Sequence, residues 1–361
     1  MMIGVLLREV KEYKKASIAT PVFMILEVLM EMIIPYLMAS IIDKGVSVGD
    51  IQHIYKIGGW MVAAAGVALF AGMAGGRYGA KASAGFAKNL REAMFNHIQT
   101  FSFANIDKYS TAGLVTRLTT DVTNVQNAYH MSLRMFTRAP ASLLCAMTMA
   151  FSINVRLATV YLIAVLVLGA LLFLIMSRAT RYFQEAFPKY DDLNASVQEN
   201  VSAIRVVKAY VREKQETEKF RKASENIYRI FVRAECTLVY NAPLMQFTVY
   251  TCILLISWIG AKMIVSSSLT TGELMSLLTY CMNILMSLMM MSMVFVMVSM
   301  SMASIRRIAE VLNETSDLKD PREPILEVPD GSIEFKNVDF SYKKGSARPV
   351  LQNINLKIHA G

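Results

Sequence analysis

Two acidic side chains lie inside a long apolar segment near the start of the chain. Glu27 and Glu31 are four residues apart, so a helix presents both on one face, and Pro35 follows one turn later. A carboxylate near the middle of a membrane span costs about 2.5–3.5 kcal/mol on insertion scales, so two on a lipid face are not expected. We expect the pair either to line a wet cavity that suits amphipathic cations or to hydrogen-bond a neighbouring helix and hold a dimer together.

A second candidate contact surface is rich in methionine. Residues 274–305 contain no charged side chain, and ten of them are Met. Met is flexible and polarizable, so surfaces rich in it accommodate varied apolar ligands. We take Met286 and Met290 as candidates for the same substrate cavity. The alternative is that these Met side chains pack against lipid or other helices.

The composition is that of a protein with several membrane spans. The chain is 54% hydrophobic and 18% charged, whereas soluble domains are about 45–50% apolar and about 25% charged. A net charge of +9 also occurs in nucleic-acid binders. Here Lys and Arg flank apolar segments, so topology explains them and we expect no nucleic-acid partner. The four Cys show neither metal-ligand spacing nor a pairing pattern, which favours small core residues and no metal site.

The elements that must position these side chains are long apolar helices. Apolar runs predict six spans, at residues 16–42, 57–76, 139–153, 157–177, 238–265 and 274–305. Residues 1–15 predict a basic amphipathic helix on the cytosolic membrane surface. The loops between paired spans are short and carry few basic residues, so the positive-inside rule places both termini in the cytosol.

Two polar excursions separate the spans. Residues 178–233 contain no Gly, and their apolar residues recur at helical spacing, which predicts two long helical arms that reverse near residues 202–212. Residues 105–120 predict a second reversal of the same type. We expect the tips of these excursions to contact another molecule or domain. The alternative is a solvated hairpin that has no function of its own.

The composition changes again after Arg306 and Arg307. Residues 310–329 contain three prolines and predict a linker, and two alternating stretches, 332–342 and 350–358, predict strands. About 30 residues cannot bury a core alone. We therefore expect a first domain at 1–320, and at 321–361 a linker and the first strands of a domain that continues beyond Gly361.

This arrangement resembles a type I ABC exporter subunit. Ile106–Val122 and Gln198–Phe220 resemble the regions around the family's two coupling helices. Ile333–Gly345 resembles the opening of its nucleotide-binding domain, and Leu351–Gly361 resembles the strand before the phosphate-binding loop. Glu27–Gly45 is most similar to the multidrug branch, whose members are often heterodimers.

The resemblance implies a fold and a function. The implied fold is an all-α membrane protein of six transmembrane helices with long cytosolic extensions, followed by a truncated β-hairpin of an α/β nucleotide-binding domain. The implied function is ATP-driven export of amphipathic or drug-like small molecules across the cytoplasmic membrane, by alternating access in a homodimer or heterodimer. A non-enzymatic channel, a regulatory subunit, and an exporter of lipid or peptide are the alternatives.

The resemblance also implies a cofactor, ATP with Mg²⁺. An aromatic residue at the position of Tyr342 stacks on adenine in this family, and the alternative is an ordinary aromatic at a strand end. The phosphate-loop pattern G-x-x-x-x-G-K-[ST] occurs nowhere in the 361 residues, and the family's other ATPase motifs are also missing. We therefore expect no catalytic residue in these residues and ATPase activity only in a longer chain.

The excursion tips are implied to couple the membrane domain to the nucleotide domains. By resemblance the tips are residues 112–119 and 203–210, and the contact residues are Leu114, Arg117, Arg205 and Tyr210. Buried aromatics often dominate interface energetics, which makes Tyr210 the expected anchor. The alternative for Tyr210 is packing between helices.

Overall fold

The computed structural model of the protein describes residues 2–316, 327, 330–341 and 349–360. Tyr342, the prolines of the predicted linker and the turn predicted at 343–348 lie outside the described residues. The chain divides into two compact units. The span unit comprises residues 16–79 and 131–298, and the loop unit comprises residues 1–15, 80–130 and 299–361.

Long helices dominate the described chain. The first six are α1 Met2–Leu7, α2 Lys14–Ser40, α3 Ile51–Ile98, α4 Phe103–Tyr109, α5 Thr111–Thr116 and α6 Val122–Ile153. The next five are α7 Val155–Ser202, α8 Ile204–Ala209, α9 Glu213–Val239, α10 Asn241–Val265 and α11 Thr271–Asn313. A 3-10 turn at Arg8–Tyr13 and wider turns at Ile41–Val46 and Arg117–Asp121 join or extend these helices. The strands are β1 Ile333–Phe340 and β2 Leu351–Ile358.

Six helical runs in the described chain are long and apolar enough to cross a membrane, which confirms the six predicted spans. They are Ile3–Val46, Ile51–Ile98, Thr111–Ile153, Val155–Ser202, Glu213–Val265 and Thr271–Asn313. Each is 43 to 53 residues long, whereas about 20 residues cross a bilayer. The helices therefore continue well beyond the apolar layer, as the two excursions require.

Local sequence signals set the starts of α7 and α11. The Asn154 side chain accepts the backbone N–H of Leu157 at 3.1 Å and starts α7 directly after α6. Thr270 and Glu273 form the predicted capping box before α11. The backbone N–H of Thr270 donates to the Glu273 carboxylate at 2.9 Å, and the Thr270 hydroxyl accepts from the Glu273 backbone at 3.2 Å.

Other helix boundaries differ from the prediction. The reversal predicted at residues 105–120 contains two short helices, α4 and α5, which meet at Ser110 with a φ of 56°. The fifth run is broken at Tyr240 between α9 and α10. Pro243 has no backbone N–H, so it cannot donate to the carbonyl four residues earlier, and this explains the break. Helix α11 continues to Asn313, into the segment predicted as a linker.

The core of the span unit forms where α2, α6, α7, α10 and α11 pack together. Two tyrosines are fully buried there. The Tyr161 hydroxyl of α7 donates to the Leu277 carbonyl at 2.7 Å, and the Tyr280 hydroxyl of α11 donates to the Met32 carbonyl at 2.8 Å. A buried hydroxyl needs a partner, so these two bonds fix α11 against both α7 and α2.

Asp43 connects the end of α2 to the beginning of α11. Its carboxylate accepts the backbone N–H of Gly272 at 2.9 Å and the hydroxyl of Thr270. A carboxylate at a helix N-terminus satisfies free N–H groups and complements the helix dipole. A Cβ added at Gly272 would lie 2.5 Å from the Ala39 carbonyl oxygen and 2.6 Å from the Asp43 carboxylate, so the contact requires glycine there.

The loop unit has its own apolar core, to which the N-terminal segment contributes. Leu6 and Val10 are buried with Phe86 and Leu90 of α3. The predicted amphipathic helix is short: α1 ends at Leu7, and the 3-10 turn after it kinks at Lys11, where φ is 38°. The N-terminal segment is therefore a bent element packed on α3.

The two strands form an antiparallel hairpin, as predicted. Phe335 pairs with Leu356 and Val338 pairs with Ile354, with a register shift between the two pairs. Asn337 at the shift has a φ of 47°, a conformation that Asn tolerates better than most residues. The irregularity explains why apolar alternation along β1 changes phase between residues 335 and 338.

Candidate functional site

An arginine of α6 holds the two acidic residues of α2. Arg138 Nη1 donates to Glu27 Oε1 at 2.7 Å, and Arg138 Nη2 donates to both oxygens of Glu31, at 2.8 and 2.9 Å. The Glu27 side chain is 15% exposed and that of Arg138 is 25% exposed. Both carboxylates therefore contact a neighbouring helix of the same chain, and their expected roles in a substrate cavity or in a dimer stay predictions.

The same carboxylates line a cleft of about 380 Å³. Its lining comprises Glu27, Glu31, Ala68, Leu69, Gly72, Met73 and Arg134. Glu27 Oε2 and Arg134 Nε are buried and have no hydrogen-bond partner among the described residues. A Cβ at Gly72 would lie 3.0 Å from Glu27 Oε1, so glycine lets α3 approach the carboxylate closely. We call Glu27, Glu31, Arg134 and Arg138 the charge cluster.

Four Met residues of α11 share one exposed face of the helix. Met282, Met286, Met289 and Met293 recur at helical spacing and are 44%, 54%, 51% and 65% exposed. The opposite face carries Tyr280, Cys281, Ile284, Leu285 and Leu288, which are buried in the span-unit core. Met290 is half-buried. We call Met282, Met286, Met289 and Met293 the Met face, an uncovered apolar surface that the run of Met in the sequence did not resolve.

The tip of the second excursion is exposed and apolar. Arg205 and Tyr210 lie at α8 and its C-cap, and Tyr210 is 74% exposed. Ile204, Val206 and Val211 are also exposed. Exposed apolar groups clustered on a charged hairpin are typical of an interaction surface. Arg205 and Tyr210 are therefore free, within the described residues, to contact a second domain.

In the loop unit, a buried carboxylate binds the C-terminal part of α11. Asp121 is 1% exposed and accepts hydrogen bonds from the Ser304 hydroxyl at 2.9 Å and from Arg307 Nε at 2.7 Å. Arg307 Nη2 donates to the same carboxylate. These bonds raise the pKa of Arg307 above its usual value, so the guanidinium stays charged.

A second carboxylate, Glu314, lies directly after α11. It accepts hydrogen bonds from Lys108 Nζ at 2.7 Å, from the Tyr109 hydroxyl at 2.6 Å and from Asn105 Nδ2 at 2.9 Å. The bonds from Lys108 and Tyr109 lower the pKa of Glu314 below its usual value. The end of α11 is therefore fixed to α4. We call the contacts of Asp121, Ser304, Arg307, Lys108, Tyr109 and Glu314 the α11 clasp.

The two candidate residues of the first tip lie next to the clasp. Leu114 is buried in the loop-unit core with Val122. The Arg117 guanidinium lies over the Tyr109 ring at 4.6 Å and 3.5 Å from Glu310. Their immediate contacts are thus α4 and α11, and any contact with a nucleotide domain remains a prediction.

The family match follows from the membrane-spanning part of the chain. A family model described as the ABC transporter transmembrane region matches residues 17–289. The chain belongs to this family. The family assignment and the six helical runs agree with the fold expected from the sequence.

Similar proteins include one of Bacillus subtilis, an uncharacterized ABC transporter ATP-binding protein. It is 30% identical over 345 residues, which cover 96% of this chain and 60% of the relative. An uncharacterized ABC transporter ATP-binding protein of Mycobacterium tuberculosis is 26% identical over 363 residues, 100% of this chain and 62% of the relative. An ATP-dependent lipid A-core flippase of Desulfotalea psychrophila is 25% identical over 279 residues, 76% of this chain and 48% of the relative. The chain thus spans about 60% of the length of its first two relatives.

Sequence reasoning missed the basic half of the charge cluster and the clasp. Arg138 directly precedes Ala139, where the third span was predicted to start, so it was assigned to the boundary. Acidic residues inside a span face a cavity or pair with a polar partner, and Arg134 and Arg138 were the nearest basic candidates in the third helix. The sequence gave no comparable reason to expect an ion pair between Asp121 and Arg307, because no local pattern relates two residues so far apart in the chain.

Proposed function

We propose that the chain is the membrane-spanning part of an ATP-driven exporter that moves amphipathic or drug-like small molecules outward across the cytoplasmic membrane. The Met face carries this proposal, because an adaptable apolar surface left uncovered on a spanning helix suits varied amphipathic ligands. We place the transmembrane domain at residues 1–320 and the linker with the first strands of a nucleotide-binding domain at 321–361. Both termini are then cytosolic.

The exposed tip of the second excursion supports coupling to a nucleotide domain. Tyr210 and the apolar side chains around it need a partner that covers them, and a nucleotide-binding domain is the partner that the family provides. A second half-transporter, identical or different, then completes the central cavity. In this arrangement, Arg205 and Tyr210 transmit movement at one tip, and Leu114 and Arg117 position the other.

The described residues do not form a site for ATP and Mg²⁺. Strands β1 and β2 form a hairpin without a phosphate loop, and no stretch of the 361 residues has the required pattern. Tyr342 lies outside the described residues, and its stacking on adenine stays a prediction. The relatives are named as ATP-binding proteins, which supports ATP as the energy source of the longer protein.

Lipid export is the second candidate, because one relative is named a lipid A-core flippase. The experiment that tests export uses the full-length protein in proteoliposomes. ATP-dependent movement of a panel of amphipathic dyes is measured beside dye-stimulated ATPase activity. Movement of at least one dye supports the proposal, and ATP hydrolysis without movement of any dye contradicts it.

The role of the Met face is tested in the same vesicles. Met286→Ala and Met289→Ala should change the half-saturating dye concentration by about tenfold, which is the effect of one altered apolar contact in a pocket. Leu166→Ala, an exposed leucine of α7, is the matched control and should leave that concentration unchanged. Equal behaviour of all three variants would remove the Met face from the substrate path.

A further inference from the structure

The segment that directly follows α11 is held by side chains of the first excursion, residues 105–120. Glu314 is the first residue after α11. Its carboxylate accepts hydrogen bonds from Asn105, Lys108 and Tyr109 of α4. These donors are three or four residues apart, so one face of α4 presents all of them. The length of α4 is therefore fastened to a single carboxylate.

The backbone of the same segment is held as well. Carbonyl groups at the end of a helix have no partner within the helix. His97 Nε2 of α3 donates to the Glu314 carbonyl at 2.8 Å, and Asn105 Nδ2 donates to the Thr315 carbonyl at 3.3 Å. Side chains of α3 and α4 therefore complete the end of α11.

Asn105 connects this contact to the start of α4. Its Oδ1 accepts the backbone N–H of Ser102 at 3.1 Å, as part of the capping box that begins the helix. Its Nδ2 is the donor to Glu314. Asn105 is 6% exposed, so a rotation of its amide would leave buried polar groups without partners. The same side chain therefore fixes both the start of α4 and the end of α11.

Stability alone does not account for these contacts. The C-terminal part of α11 is already held by burial, since Ile308 and Val311 are 0% exposed in the loop-unit core. The Lys108 side chain is 58% exposed, and ion pairs of exposed side chains contribute little to stability. What the bonds to Glu314 do is fix the point at which the chain leaves α11, before β1 begins at Ile333.

We propose that Glu314 is a positioning residue for transport: it fixes the start of the predicted linker to α4, so that movement of a nucleotide domain reaches the first excursion through the end of α11 as well as through the excursion tips. This deepens the proposed export function and rests on it. We call Glu314, Asn105, Lys108 and Tyr109 the linker anchor.

The first test uses the full-length protein in the proteoliposomes that test export. Glu314→Gln keeps the size of the side chain and removes its charge. Dye movement per ATP hydrolysed should fall by about fivefold or more, the lower end of typical coupling between two sites, while basal ATPase activity is retained. Unchanged dye movement per ATP, or an equal loss of movement and basal ATPase activity, would overturn the proposal. Glu92→Gln, an exposed carboxylate of α3, is the matched control and should change neither quantity.

A covalent replacement of the linker anchor separates a lost position from a misfolded helix. Lys108→Cys and Glu314→Cys are combined in a full-length protein whose native cysteines have been replaced. Dye movement per ATP should be low in this variant, should recover when a short bis-methanethiosulfonate joins the two thiols, and should fall again on reduction. Efficient cross-linking without recovery would overturn the proposal. Lys108→Cys alone, treated with the same reagent, should not recover, and a recovery there would also overturn it.

The linker anchor can be judged even if the export proposal fails. In a protein that moves no dye, the yield of the same cross-link is measured without nucleotide, with ATP, and with ATP and vanadate. Equal yields would keep the fixed contact between Glu314 and α4 while export is contradicted. A yield that falls with nucleotide would show that the contact opens, and it would overturn the linker anchor even in a protein that exports dyes.

Discussion

In the α11 clasp, we expect replacement of Arg307 to lower the stability of the protein more than replacement of Asp121. Asp121 is 1% exposed, whereas Arg307 is 45% exposed. Arg307→Met leaves a buried carboxylate with Ser304 alone, and breaking a buried pair in this way costs about 3–5 kcal/mol. Asp121→Asn keeps the shape of the side chain, and the guanidinium of Arg307, once released, reaches water. The free energy of unfolding should therefore fall by about 1.5–3 kcal/mol, the value of a hydrogen bond to a charged group.

The magnitude translates into a measurable shift in Tm. Unfolding entropy is about 2.1 cal/mol/K per residue, so a 361-residue chain that unfolds as a whole has about 0.8 kcal/mol/K. Arg307→Met should then lower Tm by about 4–6 °C and Asp121→Asn by about 2–4 °C. The assay is thermal unfolding of the detergent-purified chain, followed by intrinsic fluorescence.

Two further variants test the unequal roles of Asp121 and Arg307. Arg306→Met removes the adjacent exposed arginine, which has no ion pair among the described residues, and should leave Tm unchanged. The double variant Asp121→Asn with Arg307→Met should lower Tm by less than the sum of the two single decreases, because no uncompensated charge remains buried. An additive double variant, or a larger loss for Asp121→Asn than for Arg307→Met, would refute this account of the clasp.

Three other predictions follow from the same structure. In the full-length protein, Tyr210→Ala should lower transport more than basal ATPase activity, and equal loss of both at normal expression would indicate misfolding. Gly272→Val should lower Tm, because its side chain would displace Asp43, and unchanged stability would contradict that close contact. Because its hydrogen bonds lower the pKa of Glu314 below the usual 4.5, their contribution is present above that pH. It is lost as pH falls through the lowered value. The Tm difference between the native chain and Glu314→Gln should therefore be constant from pH 8 to 5 and shrink below 4.5; a difference that shrinks at pH 6 would contradict this.

Features that depend on neighbouring residues could be predicted from the sequence. Six apolar runs predicted six spans, and the spacing of Thr270 and Glu273 predicted the cap of α11 correctly. The phase change of apolar residues along β1 matches the register shift in the hairpin. Each of these signals is contained within a short stretch, where periodicity and capping chemistry determine the structure.

Features that depend on the register between helices could not be predicted in this way. Whether Arg138 meets Glu27 depends on how far α2 and α6 slide past each other, which no local pattern encodes. The same holds for Asp121 and Arg307, and for which Met side chains of α11 are covered. The break at Tyr240 is different, because Pro243 was visible in the sequence and gave a local reason for it.

The Met face also makes α11 chemically alterable. Peroxides convert a thioether to a sulfoxide, which is polar and chiral. On the buried face, packing shields the side chains, whereas Met282, Met286, Met289 and Met293 are uncovered. Oxidation would turn an adaptable apolar surface into a row of strong dipoles without breaking a bond of the backbone. Oxidative damage would therefore alter what this helix can bind before it alters whether the helix folds.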